Sequence, residues 1–503
     1  MNVNAVDVRI RFHLFLWYGF MGFAVLLLGF FLAASPSFLA VMATGFAWLM
    51  LLPYHAQVAF YLALSTFSSA LILPFVPGRP FWWEFAALLG WTGVIIVGWL
   101  RRYRPEFPRL LHENRLLFLA STAYCGVLVI TMVARGFGLR ILGSGAVGGR
   151  AYFQQLICAI FPLLLIMVRT DERMLIRLYV LQYLLSATYL VSDFVLTFGP
   201  ALWPVLNFIE IPGDALNFEM QSLRFGIRRF QSLAFIGQAF TFLILIHCSL
   251  KDFLSRRGLW LLPVLLGVIG ISALSGHRWV FLIIGATMLF MAYAQRFFAV
   301  RNLLLAGGGL LTVLVFLYAF ADQSPQALQR SISFLPGIHL DAMAQADAAA
   351  TIKVRQDLIR IGLEMAPRYF WVGRGFARFL DDYSNLWDRT GIMFHLNQGV
   401  FYNGFVGLLV NTGIFGTVFM LIFLFAVTRQ AWGIMQHLRT YGCEDTFARL
   451  CSVVSALWMA NVLAFLFLHG DSEWAMKTFS LQAGVVLVCR LLLRKRLLSA
   501  PAE

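Results

Sequence analysis

The sequence predicts an all-α polytopic membrane protein, and three observations support this fold class. The chain of 503 residues is 60% hydrophobic and 13% charged, with a mean hydropathy of +0.78. A soluble domain of this length needs a polar shell that such a composition does not provide. Apolar runs long enough to cross a bilayer recur along the whole chain. Most Lys and Arg residues lie in the short segments between these runs, as the positive-inside rule expects.

The apolar runs divide the chain into about fourteen candidate spans, because a helix needs about 20 residues to cross a bilayer. The run at 37–52 is the weakest of them. The run at 398–427 is too long for one straight span, so we expect it to begin outside the bilayer or to be broken. The candidate spans are residues 13–32, 37–52, 56–75, 81–100, 116–134, 151–168, 174–196, 231–250, 259–274, 278–294, 302–321, 398–427, 450–468 and 474–491.

Charges between the spans predict the orientation of the chain. Basic segments precede the first span and follow the fourth, sixth, eighth, tenth, twelfth and last spans, so they all fall on one side of the membrane, and this places both termini in the cytoplasm. The segment 135–150 departs from the rule because it leaves arginines on the outer side. The basic segments on the inner side are 9–11, 101–115, 169–173, 251–257, 296–301, 429–439 and 490–496.

Two predicted outer segments are long, and long segments between packed helices usually carry function. Within the second of them, residues 341–370 have a helical period, so we expect an amphipathic helix that lies against the membrane. The chain is accordingly divided into N-terminal helices with the first long outer loop (1–230), helices that carry the sequence SGHR (231–321), a large outer loop between the eleventh and twelfth spans (322–397), and C-terminal helices (398–503).

Composition and motifs exclude several classes of site. The net charge of +15 reflects topology signals in short loops, so we expect no nucleic-acid partner. The sequence has no HExxH, no paired CxxC and no acidic cluster with metal spacing, so we expect no metal site. It has no P-loop, so we expect no nucleotide cofactor. Glu84 and Asp193 lie near the outer ends of predicted spans, where a polar group is costly and indicates a site.

Arginines on the predicted outer face are the main chemical signal. Arginine is disfavoured on this side, so its presence there indicates a role. Its planar, permanently charged fork suits bidentate contact with phosphate oxygens. Several such groups together are expected to bind a pyrophosphate whose lipid tail stays in the bilayer, and the alternative is that they pair with acidic neighbours or lipid headgroups. These residues are Arg228, Arg229, Arg278, Arg355 and Arg374.

A second set of polar residues lies where the large loop meets the twelfth span. His395 could titrate near neutral pH and act as a general base, as could His277, although a hydrogen-bonded interfacial role is the alternative for each. Tyr402 and Asn403 stand at the mouth of the long apolar run, where polar groups indicate a site. The glycines that follow them at helical spacing are explained by close helix packing.

Three segments occur in an order that resembles the O-antigen ligase and polymerase superfamily of bacterial envelope glycosyltransferases. RRFQSLAFIGQAF (228–240) is similar to the arginine-containing segment that opens a span in the family, and SALSGHRWVFLIIG (272–285) to its SGSRG segment. The large loop is similar to its run of Arg, Trp, Pro, Gly-x-Gly and Phe, beginning at Arg355. YNGFVGLLVNTGIFG (402–416) is similar to its HN…GxxG helix start.

The resemblance implies a GT-C-like fold and a metal-independent glycosyltransferase in the bacterial inner membrane. Such enzymes transfer a glycan from an undecaprenyl-pyrophosphate donor on the periplasmic face. It implies a lipid-linked glycan and membrane lipids as partners, allows a chain-length regulator, and requires no cofactor. The outer-face arginines would then neutralise the charge that grows on the leaving pyrophosphate.

One departure from the family pattern bears on the reaction. Ligases of the family carry a histidine, thought to activate the acceptor hydroxyl, where this chain has Tyr402. A tyrosine with a pKa near ~10 is a poor base at neutral pH, and His395, seven residues upstream, is the available substitute. The departure favours a polymerase of O-antigen or exopolysaccharide repeat units over a ligase that transfers the finished glycan to lipid A-core or another acceptor.

Two further classes were weighed. A lipid-linked oligosaccharide flippase would have a similar number of spans, but it should show charged residues lining a cavity within several spans and two related halves. We expect the charges of this chain to lie in its outer loops, and the sequence shows no internal repeat. A non-catalytic membrane assembly protein is the remaining alternative.

Overall fold

The computed structural model describes most of the chain beyond residue 55, and its residues are nearly all helical. Helices satisfy every backbone hydrogen bond within one segment, which is what a chain in lipid requires. The described residues are 55–74, 79–101, 112–138, 146–167, 170–198, 206–210, 232–255, 258–379, 392–470 and 472–499, with isolated residues or short stretches at 12–50, 202 and 230.

The helices form in the order in which the apolar runs occur. One short antiparallel pairing, between β1 (Ala146–Val147) and β2 (Arg378–Phe379), ties the large loop to the segment before the fourth helix. The helices are α1 (His55–Thr66), α2 (Trp82–Arg101), α3 (Arg115–Arg135), α4 (Gly149–Met167), α5 (Glu172–Leu185), α6 (Thr188–Phe198), α7 (Ser232–His247), α8 (Leu261–Ala273), α9 (Trp279–Ala294), α10 (Val300–Phe320), α11 (Gln326–Ile332), α12 (Ala342–Met365), α13 (Ile392–Asn397), α14 (Gly404–Tyr441), α15 (Thr446–Leu463) and α16 (Ser472–Ser499).

The described residues confirm an all-α membrane protein. They contain six helical stretches that are long and apolar enough to cross a bilayer, together with five shorter apolar helices. The predicted span count and the outer position of the large loop stay predictions. The six stretches are Arg115–Arg135, Glu172–Val195, Val300–Phe320, Gly404–Tyr441, Thr446–Leu468 and Ala475–Arg496.

Two predicted boundaries differ from the structure. The basic segment 429–439 was expected to be a loop, but it continues helix α14, because its residues are good helix formers and the first stop signal is Gly442, with φ +98°. The predicted span 174–196 is divided by a turn at Ser186. There the Ser186 hydroxyl bonds the Tyr183 carbonyl oxygen at 2.6 Å, and such local bonds compete with the helix ladder.

The large loop contains the predicted amphipathic helix, and it packs on protein. Helix α12 covers most of the segment 341–370 and buries Leu358 and Gly362. It contacts the start of α14, the short helix α13 and the helix α11 that precedes it. The predicted helix is therefore confirmed, and the inward face of α12 is covered by α11, α13 and α14.

Helix α14 is broken, as its length predicted. Gly413 has φ +70° and ψ −175°, which interrupts the helix. The segment before β2 inserts at this break, where the Ile414 N–H donates to the Phe370 carbonyl oxygen at 2.7 Å. A Cβ on Gly373 would lie 2.2 Å from the Asn411 carbonyl oxygen, so only glycine permits this approach. The large loop is thus built into a membrane helix.

The arginine Arg135, which departs from the positive-inside rule, supports the same inserted segment. Its Nε donates to the Gly373 carbonyl oxygen at 3.0 Å and its Nη2 to the Val372 carbonyl oxygen at 3.2 Å. Guanidinium groups satisfy exposed backbone carbonyls efficiently because they present several donors in one plane. Its presence on the predicted outer side therefore has a structural cause.

A buried charge network joins α2, α4 and α16, so the expectation that charges lie in outer loops is wrong here. Glu84 is 2% exposed and Lys477 is 8% exposed. Arg150 lies 3.2 Å from the carboxylate of Glu210 and 3.9 Å from that of Glu84. The Lys477 ammonium lies 4.1 Å from the centre of the Phe81 ring, within cation–π range. Two cations and two carboxylates offset one another, which is how charges are retained among membrane helices.

Candidate functional site

The candidate site lies where the large loop meets the starts of α9 and α14. Most of the predicted residues that the structure describes come together there, and these are Arg278, Arg355, His395 and Tyr402. They are brought from four parts of the sequence, because α12 packs across the start of α14. Arg228 and Arg229 lie outside the described residues, so their role stays a prediction.

Tyr402 is at the centre of the site. Its hydroxyl lies 3.4 Å from Nε2 and 3.5 Å from Nδ1 of His395. His469 stacks on its ring, with centroids 5.5 Å apart, and the Arg355 guanidinium carbon lies 5.0 Å from the ring centre. The Tyr402 backbone has φ +52°, a left-handed conformation that costs a non-glycine residue about 1–3 kcal/mol and is concentrated at functional sites.

Both histidines are neutral at physiological pH. Burial is the main cause and the charge of Arg355 the second, and together they lower the pKa of His395 to about 4 and that of His469 to about 3. A neutral imidazole has one nitrogen that donates and one that accepts a hydrogen bond, so His395 can accept one from the Tyr402 hydroxyl. A bound anion would offset Arg355 and raise the pKa of both imidazoles toward neutrality.

Three arginines converge beside this aromatic group. Burial, followed by repulsion from Arg330 and Arg355, lowers the pKa of Arg278, which places the three guanidinium groups within electrostatic reach. Arg330 forms a buried ion pair with Asp347. The Arg355 Nε is buried and donates to none of the described residues. Positive charge therefore exceeds negative charge among these residues, an arrangement that suits a phosphate-bearing anion.

Two predicted site residues support the backbone near the site. The Arg374 guanidinium donates to the carbonyl oxygens of Leu396 and Asn397, the last residues of α13, and thereby caps the helix that carries His395. The Asn403 side-chain oxygen accepts a bond from a backbone N–H in the first turn of α14 at 3.0 Å, an N-cap. Arg374 therefore stabilises the helix that carries His395, and Asn403 stabilises the start of α14 next to Tyr402.

Sequence reasoning missed three residues of the site. Arg330 lies in a short polar helix that carries no motif. The available signal was on its partners' helix, where Asp347, Thr351 and Arg355 are spaced by four and so share one face of α12. His469 follows the thirteenth predicted span directly, and a histidine at a span end was the available signal. Trp279 lies 6.3 Å from His469 between ring centres, but one aromatic residue at a helix start gives no such signal.

Comparison with models of known protein families and with curated proteins finds no match for this chain. The geometry of the site combines an excess of buried arginine charge with a tyrosine–histidine pair, which is a combination suited to group transfer from an anionic leaving group.

Proposed function

We propose that this protein is a membrane glycosyltransferase that polymerises undecaprenyl-pyrophosphate-linked oligosaccharide repeat units of an O-antigen or exopolysaccharide. The observation that carries the proposal is the position of Arg355, which lies over the ring of Tyr402 in the His395–Tyr402 pair and within electrostatic reach of Arg278. The arginines supply the chemistry for an anionic leaving group, and the pair supplies a path for the acceptor proton.

The donor half of the reaction depends on the arginines. As the bond between the anomeric carbon and the pyrophosphate oxygen breaks, negative charge grows on the departing lipid pyrophosphate. Arg278 and Arg355 are held in a partly buried site, where fixed positive charge is worth more than in water and costs no reorganisation during the reaction. The donor carries its own activated bond, so the proposal requires neither a nucleotide nor a metal.

The acceptor half depends on the tyrosine and the histidine. An acceptor hydroxyl attacks the anomeric carbon and gives its proton to the Tyr402 oxygen, while the Tyr402 proton passes to the neutral His395 imidazole. The two groups lie 3.4 Å apart, and catalytic hydrogen bonds that are long without substrate tighten in the substrate complex, which allows such a relay. Pyrophosphate in the site would offset Arg355 and strengthen His395 as a base. The pair thus takes the role of the ligase histidine that this chain lacks. The absence of that histidine is the reason for proposing a polymerase.

The proposal includes a topology. It has about fourteen spans, a GT-C-like arrangement with both termini in the cytoplasm, and the large loop in the periplasm of a bacterial inner membrane. The apolar helices and the packing of α12 against α14 are consistent with it. The buried charges at Glu84, Arg150 and Lys477 are a feature that a flippase would share. Arg150 lies beside the carboxylates of Glu84 and Glu210, and two cations with two carboxylates offset one another, so we assign them to helix packing.

The test uses the purified full chain in nanodiscs with lipid-linked repeat units. Replacing Arg278 or Arg355 by alanine should abolish polymer while single repeats accumulate, because the leaving group loses its charge partner. Arg360→Ala is the matched control, since Arg360 lies on the same helix with its side chain 70% exposed. Long polymer at normal yield with both Arg278 and Arg355 replaced would overturn the proposal.

A further inference from the structure

We infer that Arg330 and Asp347 form a positioning pair that holds Arg278 and Arg355 in place for joint contact with one diphosphate group. The inference rests on the proposed function, because it describes how the same arginine site is built. It concerns two residues that belong to no motif and that the reaction outlined above does not use.

Arg330 joins separate parts of the protein through different edges of its guanidinium. Its Nη1 donates to the Gly276 carbonyl oxygen at 2.6 Å, and its Nη2 donates to the Thr351 hydroxyl at 2.9 Å. Its Nε faces the Asp347 carboxylate in an ion pair whose two side chains are each 6% exposed. A lysine ammonium would keep the charge but could not span these three directions in one plane.

Both ends of this bridge lie close in sequence to a site arginine. Gly276 precedes Arg278 by two residues, and Thr351 precedes Arg355 by one helical turn. Asp347, Thr351 and Arg355 are spaced by four, so they lie on one face of α12 over about 12 Å of its axis. Contacts at the first two positions therefore fix the height and rotation of Arg355 relative to the turn that carries Arg278.

The carboxylate has a second effect on the cluster. Arg278 is repelled by both Arg330 and Arg355, so three arginines alone would push one another apart before an anion binds. Asp347 favours the charged form of Arg330, opposing the effect of burial on its pKa. It offsets one of the three arginine charges in this cluster. The remaining excess is free to meet the charge of a diphosphate.

Asp347→Asn gives the sharpest test because two effects oppose each other. Removing a negative charge beside the arginines should strengthen the binding of inorganic pyrophosphate if simple electrostatics decides the outcome. Loss of the positioning contact should weaken it. We expect about tenfold weaker binding to the full chain in nanodiscs, measured by calorimetry, since one well-placed charge-assisted hydrogen bond has that effect. Tighter or unchanged binding would overturn the inference.

Arg330→Lys separates positioning from direct contact. Alone it should weaken pyrophosphate binding about tenfold. In an Arg355→Ala background its effect should be clearly smaller, because only Arg278 is left for Arg330 to position. An equal loss in both backgrounds would mean that Arg330 binds pyrophosphate itself, and the positioning role would be rejected. The matched controls are Arg360→Lys and Asp357→Asn, in an ion pair on α12 whose side chains are 70% and 27% exposed.

The outcomes distinguish this inference from the proposed function. If the wild-type chain neither binds pyrophosphate nor makes polymer, the proposed function fails and the inference fails with it. If the wild type does both, and Arg330→Lys and Asp347→Asn bind as the wild type does, the positioning pair alone is rejected. A variant that no longer folds, as judged by its melting curve, is replaced by the other, because either one of the pair tests the same contact.

Discussion

Replacing Arg355 by glutamine removes a positive charge beside His395 and should raise the pKa of that imidazole. The pKa of His395 is about 4, against an ordinary value of 6.5. Each pH unit corresponds to about 1.4 kcal/mol, so the protein disfavours the imidazolium by about 3 kcal/mol. Burial is the larger cause and Arg355 the smaller. The charge therefore accounts for less than half, and we expect R355Q to raise the pKa by at most about one pH unit.

Carbon-13 signals of labelled histidine rings, followed across pH in the full chain in nanodiscs, measure this shift directly. His395→Gln identifies the signal, and Arg360→Gln is the control because its charge lies on the same helix but is exposed. Since the folded pKa lies below the unfolded value, protonation of His395 destabilises the fold as pH falls through 6.5 toward 4. An unchanged His395 titration in R355Q, or an equal rise in R360Q, would refute the coupling between the two residues.

Two further predictions concern the elements that hold the site. Gly373→Ala places a Cβ 2.2 Å from the Asn411 carbonyl oxygen, so it should lower the melting temperature and abolish polymerisation. Gly433→Ala, in open space on the helix α14 that also carries Asn411, should leave activity unchanged and stabilise the fold by up to about 1 kcal/mol; equal behaviour of the two variants would contradict the inserted-loop geometry. Arg374→Lys loses the fork that caps α13 beneath His395, so turnover should fall at least about tenfold. Pyrophosphate affinity, measured by calorimetry, should stay within about twofold, and a parallel loss of affinity would show that Arg374 is a ligand instead.

Much of the fold follows from hydrophobic length, and the boundaries that fail do so for local reasons. The helix Val300–Phe320 lies within one or two residues of its predicted span, because nothing but apolar length determines it. The helix Gly404–Tyr441 exceeds its prediction, because a helix continues past the apolar region until a residue such as Gly442 stops it. Hydropathy measures the lipid contact of a segment, whereas helix termini depend on caps and turns.

The site was partly predictable, because arginine is disfavoured on the predicted outer face and an arginine found there usually has a specific role. The positive-inside rule points to Arg355, which lies over the Tyr402 ring, and to Arg278, which is within electrostatic reach of Arg355. It cannot separate them from Arg374, whose guanidinium is engaged by helix carbonyls, since both uses exploit the same fork of donors. The role of Arg330 could not be predicted, because its partner Asp347 lies on a different helix and only folding brings the two side chains together.

At the break of α14 at Gly413, the large loop and the helix complete each other's backbone hydrogen bonds, so the two segments depend on each other. The backbone of 370–375 supplies hydrogen bonds to the helix at its interruption, through Ile414, Arg374 and Gly375. A chimaera that exchanged only the loop would leave those backbone groups without matched partners inside the membrane, which is costly. A graft of this loop into another helical membrane protein should therefore fold only when 370–416 is moved as one piece, together with its glycines.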